Sequence, residues 1–138
     1  MTNGRKSILI IDGDEHDRHR YVRIFTKRPE QYLVLEATDG RGGLKVWRSH
    51  RIDGVILAYE LADFSGLRVL IRGVPRPRDP KTAVLLLSKN PLFGMAALAK
   101  NNGAHAYLVK SEVTDDQLEA TLLKAIETVS RARKRSPS

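Results

Sequence analysis

Residues 82–87 read Thr-Ala-Val-Leu-Leu-Leu and form the most hydrophobic stretch of the chain. An apolar run of this length, which follows a proline-rich segment, predicts a β-strand that is buried on both faces. Such strands are typical of parallel sheets whose two faces are covered by helices. This stretch therefore indicates an α/β fold.

Four further apolar runs and five helical patterns complete an alternating series. The other strands are expected at residues 7–11, 32–37, 52–58 and 106–109. Helices are expected at residues 14–28, from 38 onward, at 66–72, at 91–102 and at 115–133. Their ends are marked by Asp14 as an N-cap, Pro91 in a first turn and Gly103 as a left-handed C-cap. The alternation predicts one doubly wound α/β domain, a five-stranded parallel sheet with helices on both faces.

Length and composition limit the class of protein. The 138 residues suffice for one domain, expected at residues 7–130 with an N-terminal extension at 1–6 and a basic tail at 131–138. The apolar runs are far shorter than the roughly 20 residues that cross a bilayer, and the first residues do not show the pattern expected of a signal peptide. Cysteine is absent, which agrees with a reducing compartment. We expect a cytoplasmic protein without membrane attachment.

The net charge of +8 is concentrated in two segments. The C-terminal group comprises Arg131, Arg133, Lys134 and Arg135, and the group between prolines comprises Arg72, Arg76, Arg78 and Lys81. Basic clusters bind nucleic acid through phosphate charge, but they also occur as solvated surface. Both interpretations stay open at this point.

Polar residues follow the predicted strands at the edge where open parallel sheets bind their ligands. The first strand is followed by Asp12, Gly13 and Asp14, and the fifth is followed by Lys110. Ala58 ends the third strand, Ser88 follows the fourth, and Tyr107 lies within the fifth. Any chemistry is therefore expected among these side chains.

Four motifs in this order resemble the response-regulator receiver domain, the chemotaxis-protein-like module of two-component signalling. They are Ile-Leu-Ile-Ile-Asp-Gly-Asp-Glu at 8–15, Asp-Gly-Val-Ile-Leu-Ala at 53–58 with Gly66, Ala-Val-Leu-Leu-Leu-Ser at 83–88, and Gly-Ala-His-Ala-Tyr-Leu-Val-Lys at 103–110. The resemblance implies a flavodoxin-like fold in which an acidic pair after the first strand holds Mg²⁺. It also implies an aspartate at the end of the third strand, phosphorylated by a histidine kinase.

Two departures from the family pattern predict a degenerate pseudo-receiver. Ala58 stands where the family has its phosphoacceptor, and a methyl group has no lone pair to attack phosphorus. Gly13 replaces the second residue of the acidic pair, so we expect neither a bound metal nor another cofactor. Lys110 is then expected to pair with Asp12. Ser111 replaces the usual proline, which predicts a trans peptide bond and a shifted loop.

Other reactive arrangements are weaker. Asp53 lies at the wrong end of the third strand, and Glu60 and Asp63 are expected to be solvated loop charges. Ser88 with Lys110 is the one candidate catalytic dyad, and it lacks an orienting third group. The four histidines show no metal-binding spacing. We therefore expect a protein without enzymatic activity.

The resemblance implies a switch pair, Ser88 and Tyr107, in which a phosphoryl group draws the aromatic ring inward. Without a phosphoryl group, no ligand shifts the equilibrium of Tyr107 between its outward and inward positions. The main hypothesis is a phosphorylation-independent protein-interaction module whose partner is a histidine kinase, an output domain or a second copy. Its expected surface includes Lys100, Asn101 and Tyr107. The alternative is a nucleic-acid-associated regulator that uses the basic tail and the 72–81 loop.

Overall fold

The computed structural model describes residues 4–135. Five strands alternate with five α-helices. The strands are β1 (Lys6–Ile11), β2 (Tyr32–Ala37), β3 (Gly54–Ala58), β4 (Ala83–Ser88) and β5 (Ala106–Val109). The helices are α1 (Glu15–Thr26), α2 (Gly40–Ser49), α3 (Gly66–Gly73), α4 (Met95–Asn101) and α5 (Asp115–Arg135), and a 3₁₀ turn spans Lys110–Glu112. The predicted five-stranded α/β architecture is confirmed.

The strands form one parallel sheet in the order β2-β1-β3-β4-β5. All six residues of β4 are buried, as the apolar run at 82–87 predicts. Alternate side chains of β1 enter two separate cores. Ile8 and Ile10 pack towards α1 and α5, whereas Leu9 and Ile11 pack towards α2, α3 and α4. The sheet is therefore covered on both faces, which leaves its strand ends as the accessible edges.

The fourth helix differs from the expectation, because it begins at Met95 and not near Pro91. Gly94 has a left-handed φ of 75°, a conformation that an α-helix does not contain. The N–H of Leu92 donates to the hydroxyl of Tyr107 instead of entering a helix. Residues 91–94 therefore form an irregular loop. The end of α4 is as expected, since Gly103 has a φ of 101°.

The last helix runs to Arg135, slightly beyond the expected end at residue 133. Arg131, Arg133 and Lys134 therefore lie on the final turns of α5. Residues 136–138 of the expected basic tail lie outside the described residues. None of the described helices is both long and apolar enough to cross a membrane.

The loop after β3 turns sharply enough to require glycine at its end. A Cβ atom on Gly66 would lie 2.2 Å from the carbonyl oxygen of Ala58, which no side chain tolerates. The N–H of Gly66 also donates to the carbonyl of Tyr59 at 2.8 Å. This packing holds the first turn of α3 directly against the end of β3.

Candidate functional site

Asp12 and Lys110 meet at the carboxyl edge of the sheet. Asp12 follows β1 and Lys110 follows β5, and both side chains are buried. The Lys110 Nζ donates to the Asp12 Oδ2 at 2.8 Å, and the Asp14 N–H donates to the Asp12 Oδ1 at 2.9 Å. The pairing expected from the sequence is confirmed, and both oxygens of the Asp12 carboxylate are occupied.

A second carboxylate, Asp17 on the first turn of α1, completes this cluster. Lys110 Nζ donates to its Oδ2 at 2.9 Å. Burial alone would lower the pKa of Lys110, but the hydrogen bonds to the two carboxylates hold that pKa above its ordinary value. Burial raises the pKa of Asp12 against the opposing effect of Lys110. Asp17 was not among the side chains predicted for the site, although its position three residues after the N-cap of α1 was a usable signal.

Asp14 has a different task, because its carboxylate accepts the Asp17 N–H at 2.9 Å and caps α1. This hydrogen bond holds the pKa of Asp14 below its ordinary value. Arg18 donates to the backbone carbonyl of Asp12 at 3.0 Å and to Glu36 at 3.1 Å. The start of α1 is therefore fixed to the end of β1 by several polar contacts.

Two positions of the cleft carry no functional group. Ala58 ends β3 and is almost completely buried, and its side chain is a methyl group. Gly13 is exposed, and a Cβ at this position would lie 3.0 Å from the backbone oxygen of Thr38. Within residues 4–135, no three His, Asp or Glu side chains are grouped so that they could hold a metal ion.

Ser88 and Tyr107 are joined by a hydrogen bond of 2.5 Å between their hydroxyl oxygens. Ser88 is fully buried, and its hydroxyl donates to the carbonyl of Asn90 at 2.6 Å. The Tyr107 hydroxyl accepts from the N–H of Leu92 at 3.0 Å. The half-buried tyrosine is therefore tied by its hydroxyl to the loop between β4 and α4.

The remaining loop carboxylates also bind backbone N–H groups, although Asp63 is exposed, as expected of a solvated loop charge, and Glu60 is half-buried. Glu60 accepts from the N–H of Lys89 at 3.1 Å, and Asp63 accepts from those of Gly40 and Arg41 at 2.8 Å each. Burial works to raise the pKa of Asp63, but the N–H donors outweigh it and hold that pKa below its ordinary value. Such contacts join distant loops and leave no sequence signal.

Asp53 lies at the opposite edge of the sheet, as expected. Its carboxylate accepts the N–H of Ser7 at 2.8 Å, and its backbone bonds to Ser7 and Ala83. It therefore has no access to the cleft. Among residues 4–135 no peptide bond is cis, so Ser111 follows Lys110 through a trans bond and enters the 3₁₀ turn.

The expected interaction surface is exposed at the end of α4. Lys100 and Asn101 are exposed, and Tyr107 on the adjacent β5 is half-buried. The structure adds Phe93, which is completely exposed, and Leu98, which is 42% exposed. Neither side chain was predicted to be part of this surface, and Phe93 lies in a segment that was expected to be helical. Leu33 and Ile71 are the other large apolar side chains that are exposed among the described residues.

Comparison with known proteins identifies the family to which this fold belongs. The sequence model of the response regulator receiver domain matches residues 8–123. The chain belongs to the response-regulator receiver family. The receiver domain of an HD domain-containing protein from Pseudomonas fluorescens Pf-5 superposes with a TM-score of 0.84 at 28% identity, covering 99% of this chain and 97% of that one.

Two curated relatives of this receiver domain are longer proteins. A protein-glutamate methylesterase/protein-glutamine glutaminase of Myxococcus xanthus is 29% identical over 96% of this chain and 38% of its own length. A second, from Nitratidesulfovibrio vulgaris, is 31% identical over 92% of this chain and 35% of its own. The chain thus spans little more than a third of these relatives. The comparisons place it in two-component signalling as a receiver domain.

Proposed function

We propose that this receiver domain works without phosphorylation, as a pseudo-receiver that binds a signalling partner through a fixed surface. The observation that carries the proposal is the methyl group of Ala58 at the end of β3. Phosphoryl transfer to a side chain requires an oxygen nucleophile, and a methyl group offers none. Nearby, the Lys110 ammonium is already neutralised by Asp12 and Asp17.

The residues of the cleft do not fit Mg²⁺. This ion requires several hard oxygen ligands in near-octahedral geometry. Gly13 has no side chain, and both oxygens of Asp12 accept hydrogen bonds from Asp14 and Lys110. A metal would have to displace an ammonium group from its carboxylates, so we derive no metal-dependent step for this chain.

The contacts of Tyr107 support a fixed state. In the receiver family a phosphoryl group draws Ser or Thr and the aromatic ring inward. Here the Tyr107 hydroxyl already bonds to Ser88 and to the N–H of Leu92. A ligand can shift an equilibrium only by its differential affinity for the two states. We therefore propose one constant arrangement of the β4–α4 loop.

The proposed partner is a histidine kinase, an output domain or a second copy of the chain. Its binding surface would combine apolar and polar side chains of α4, β5 and the loop before α4, namely Phe93, Leu98, Lys100, Asn101 and Tyr107. The proposed role requires no catalysis, and Ser88 is unsuited to nucleophilic attack because its hydroxyl bonds to Asn90 and Tyr107. A cytoplasmic location stays a prediction from the sequence.

A beryllofluoride titration followed by NMR tests the proposal. Beryllofluoride mimics a phosphoryl group bound to a carboxylate, so we expect no chemical-shift change at Ser88, Tyr107 or Lys110 in the presence of Mg²⁺. A receiver domain with an intact acidic site serves as positive control. Saturable shifts at these residues at micromolar beryllofluoride would refute the proposal.

The second candidate, nucleic-acid binding through the tail and the 72–81 loop, stays a prediction. The two segments are adjacent, since Arg133 donates to the carbonyl of Lys81. However, Lys81 also pairs with Asp79, and Arg131 pairs with Glu127. Part of the charge in these segments is therefore already neutralised. A second group of cations, which shares Arg72 with this loop, lies between two neighbouring helices.

A further inference from the structure

The helices α2 and α3 pack side by side, and a groove of about 440 Å³ runs along them. Arg41, Lys45 and Arg48 line it from α2, and Arg72 lines it from α3. Its remaining lining residues are Leu44, Ser49 and Phe64. Four of the seven side chains are cationic and none is acidic. We call this feature, together with the adjacent Arg68, the α2–α3 groove.

The cations of the groove have no acidic partners. Within the described part of the chain, none of the five forms an ion pair, although all are exposed. The two carboxylates at the start of α2 bind backbone N–H groups instead. Asp39 accepts from Gly42, and Asp63 accepts from Gly40 and Arg41. The positive charge of the groove is therefore directed to solvent.

This arrangement is unfavourable for the isolated domain. Arg41 and Lys45 are four residues apart on one helix, as are Arg68 and Arg72, and like charges at that spacing repel each other. Arg41 also lies in the first turn of α2, where the helix dipole disfavours a cation. An anionic ligand in the groove would relieve both effects.

Phe64 organises two of the arginines. The guanidinium carbons of Arg68 and Arg72 each lie 5.4 Å from the centre of its ring. Cation–π contacts of this kind hold the planar guanidinium groups in place. Less side-chain entropy is then lost when these groups bind a ligand.

We infer that the α2–α3 groove binds the phosphate backbone of nucleic acid without sequence preference. Four of the five cations are arginines, whose planar donors match phosphate oxygens in pairs. These cations flank a groove, and a groove fits a polyanionic chain better than it fits a flat membrane surface. A protein interface or a bilayer would need an apolar centre. Among the described residues of these two helices, Ile71 is the only large apolar side chain that is exposed.

Fluorescence anisotropy of the whole chain with a labelled DNA duplex of about 20 base pairs tests the inference. If each of the five cations neutralises one phosphate, affinity should fall about 500-fold between about 50 and 200 mM salt. The variant Arg41→Gln/Lys45→Gln should fall only about 40-fold over the same range, because two contacts are gone. Its affinity at low salt should also be weaker than that of the unaltered chain.

Arg23→Gln/Lys27→Gln is the matched control, since both cations are exposed and lie four residues apart, Arg23 in the last turn of α1 and Lys27 at its C-cap. It should bind like the unaltered chain, and thermal unfolding should show that both variants are folded. Equal loss in the control would overturn the inference. So would loss in Arg133→Gln/Lys134→Gln but not in the groove variant, absence of binding at about 50 mM salt, or preference for polyglutamate or phosphatidylserine vesicles over DNA.

Discussion

Lys110 and Asp12 form a buried ion pair, with Nζ 2.8 Å from Oδ2 and with side chains that are 7% and 2% exposed. The pair joins the ends of β1 and β5, two strands that are not neighbours in the sheet. It therefore spans the carboxyl edge above β3 and β4. Asp17 adds a second carboxylate from α1.

The first prediction concerns this pair. Lys110→Met should reduce the free energy of unfolding by about 3–5 kcal/mol, because Asp12 loses its partner while it remains buried. Urea unfolding at neutral pH measures the loss. Lys100→Met, at an exposed position on α4, is the control and should change stability by less than about 0.5 kcal/mol. A loss below about 1 kcal/mol in Lys110→Met would mean that the pair is dispensable.

The second prediction concerns the restoration of phosphorylation. Ala58→Asp alone should not be labelled by acetyl phosphate with Mg²⁺, since Gly13 still offers no metal ligand. Ala58→Asp/Gly13→Asp should gain Mg²⁺-dependent labelling, detected by intact mass and by phosphate-affinity electrophoresis. Robust labelling of the single variant would show that a carboxylate at position 13 is not needed.

The third prediction concerns Tyr107. Tyr107→Phe removes the hydroxyl that bonds to Ser88 and Leu92, so stability should fall by about 1–3 kcal/mol. The amide of Leu92 should exchange faster with deuterium than in the unaltered chain. Tyr59→Phe is the control, because that half-buried tyrosine has no side-chain hydrogen bond among the described residues. Unchanged exchange at Leu92 would argue against a hydroxyl-held loop.

The fourth prediction concerns pH. Burial lowers the pKa of His105 below its usual 6.5, and its Nδ1 accepts the N–H of Val84 at 3.3 Å, which requires the neutral ring. Because the folded-state pKa is lowered, the neutral ring makes its full contribution to folding stability above pH 6.5. This contribution is lost as the pH falls through the folded-state pKa. The stability advantage of the unaltered chain over His105→Gln should therefore shrink from neutral pH to about pH 5.

Urea unfolding at several pH values measures this advantage. If the stability difference between the unaltered chain and His105→Gln does not change with pH, the neutral imidazole is not the source of that difference.

The strands and helices could be predicted because their signals are local. The apolar run at 82–87 identified β4, and Gly103 identified the end of α4. The start of α4 could not be predicted, because the backbone of Leu92 is bound by Tyr107, fifteen residues further along the chain. Such contacts depend on the finished fold.

The site was predictable to the same extent. Residues at the strand ends, such as Asp12 and Lys110, follow from the parallel sheet alone. The contributions of Asp17 and Asp63 depend on how a helix and a loop approach the sheet edge. The α2–α3 groove likewise requires two helices that are separated in sequence to lie next to each other.

The pairing of two hydroxyl groups has a consequence for any small anion that reaches the strand ends. Either hydroxyl can donate in the short contact between Ser88 and Tyr107, and the Asn90 carbonyl lies 2.6 Å from the first and 3.3 Å from the second. Whichever of them donates across the contact, the other can give its proton to Asn90, so both protons are engaged. An incoming oxyanion would first have to break one of these hydrogen bonds.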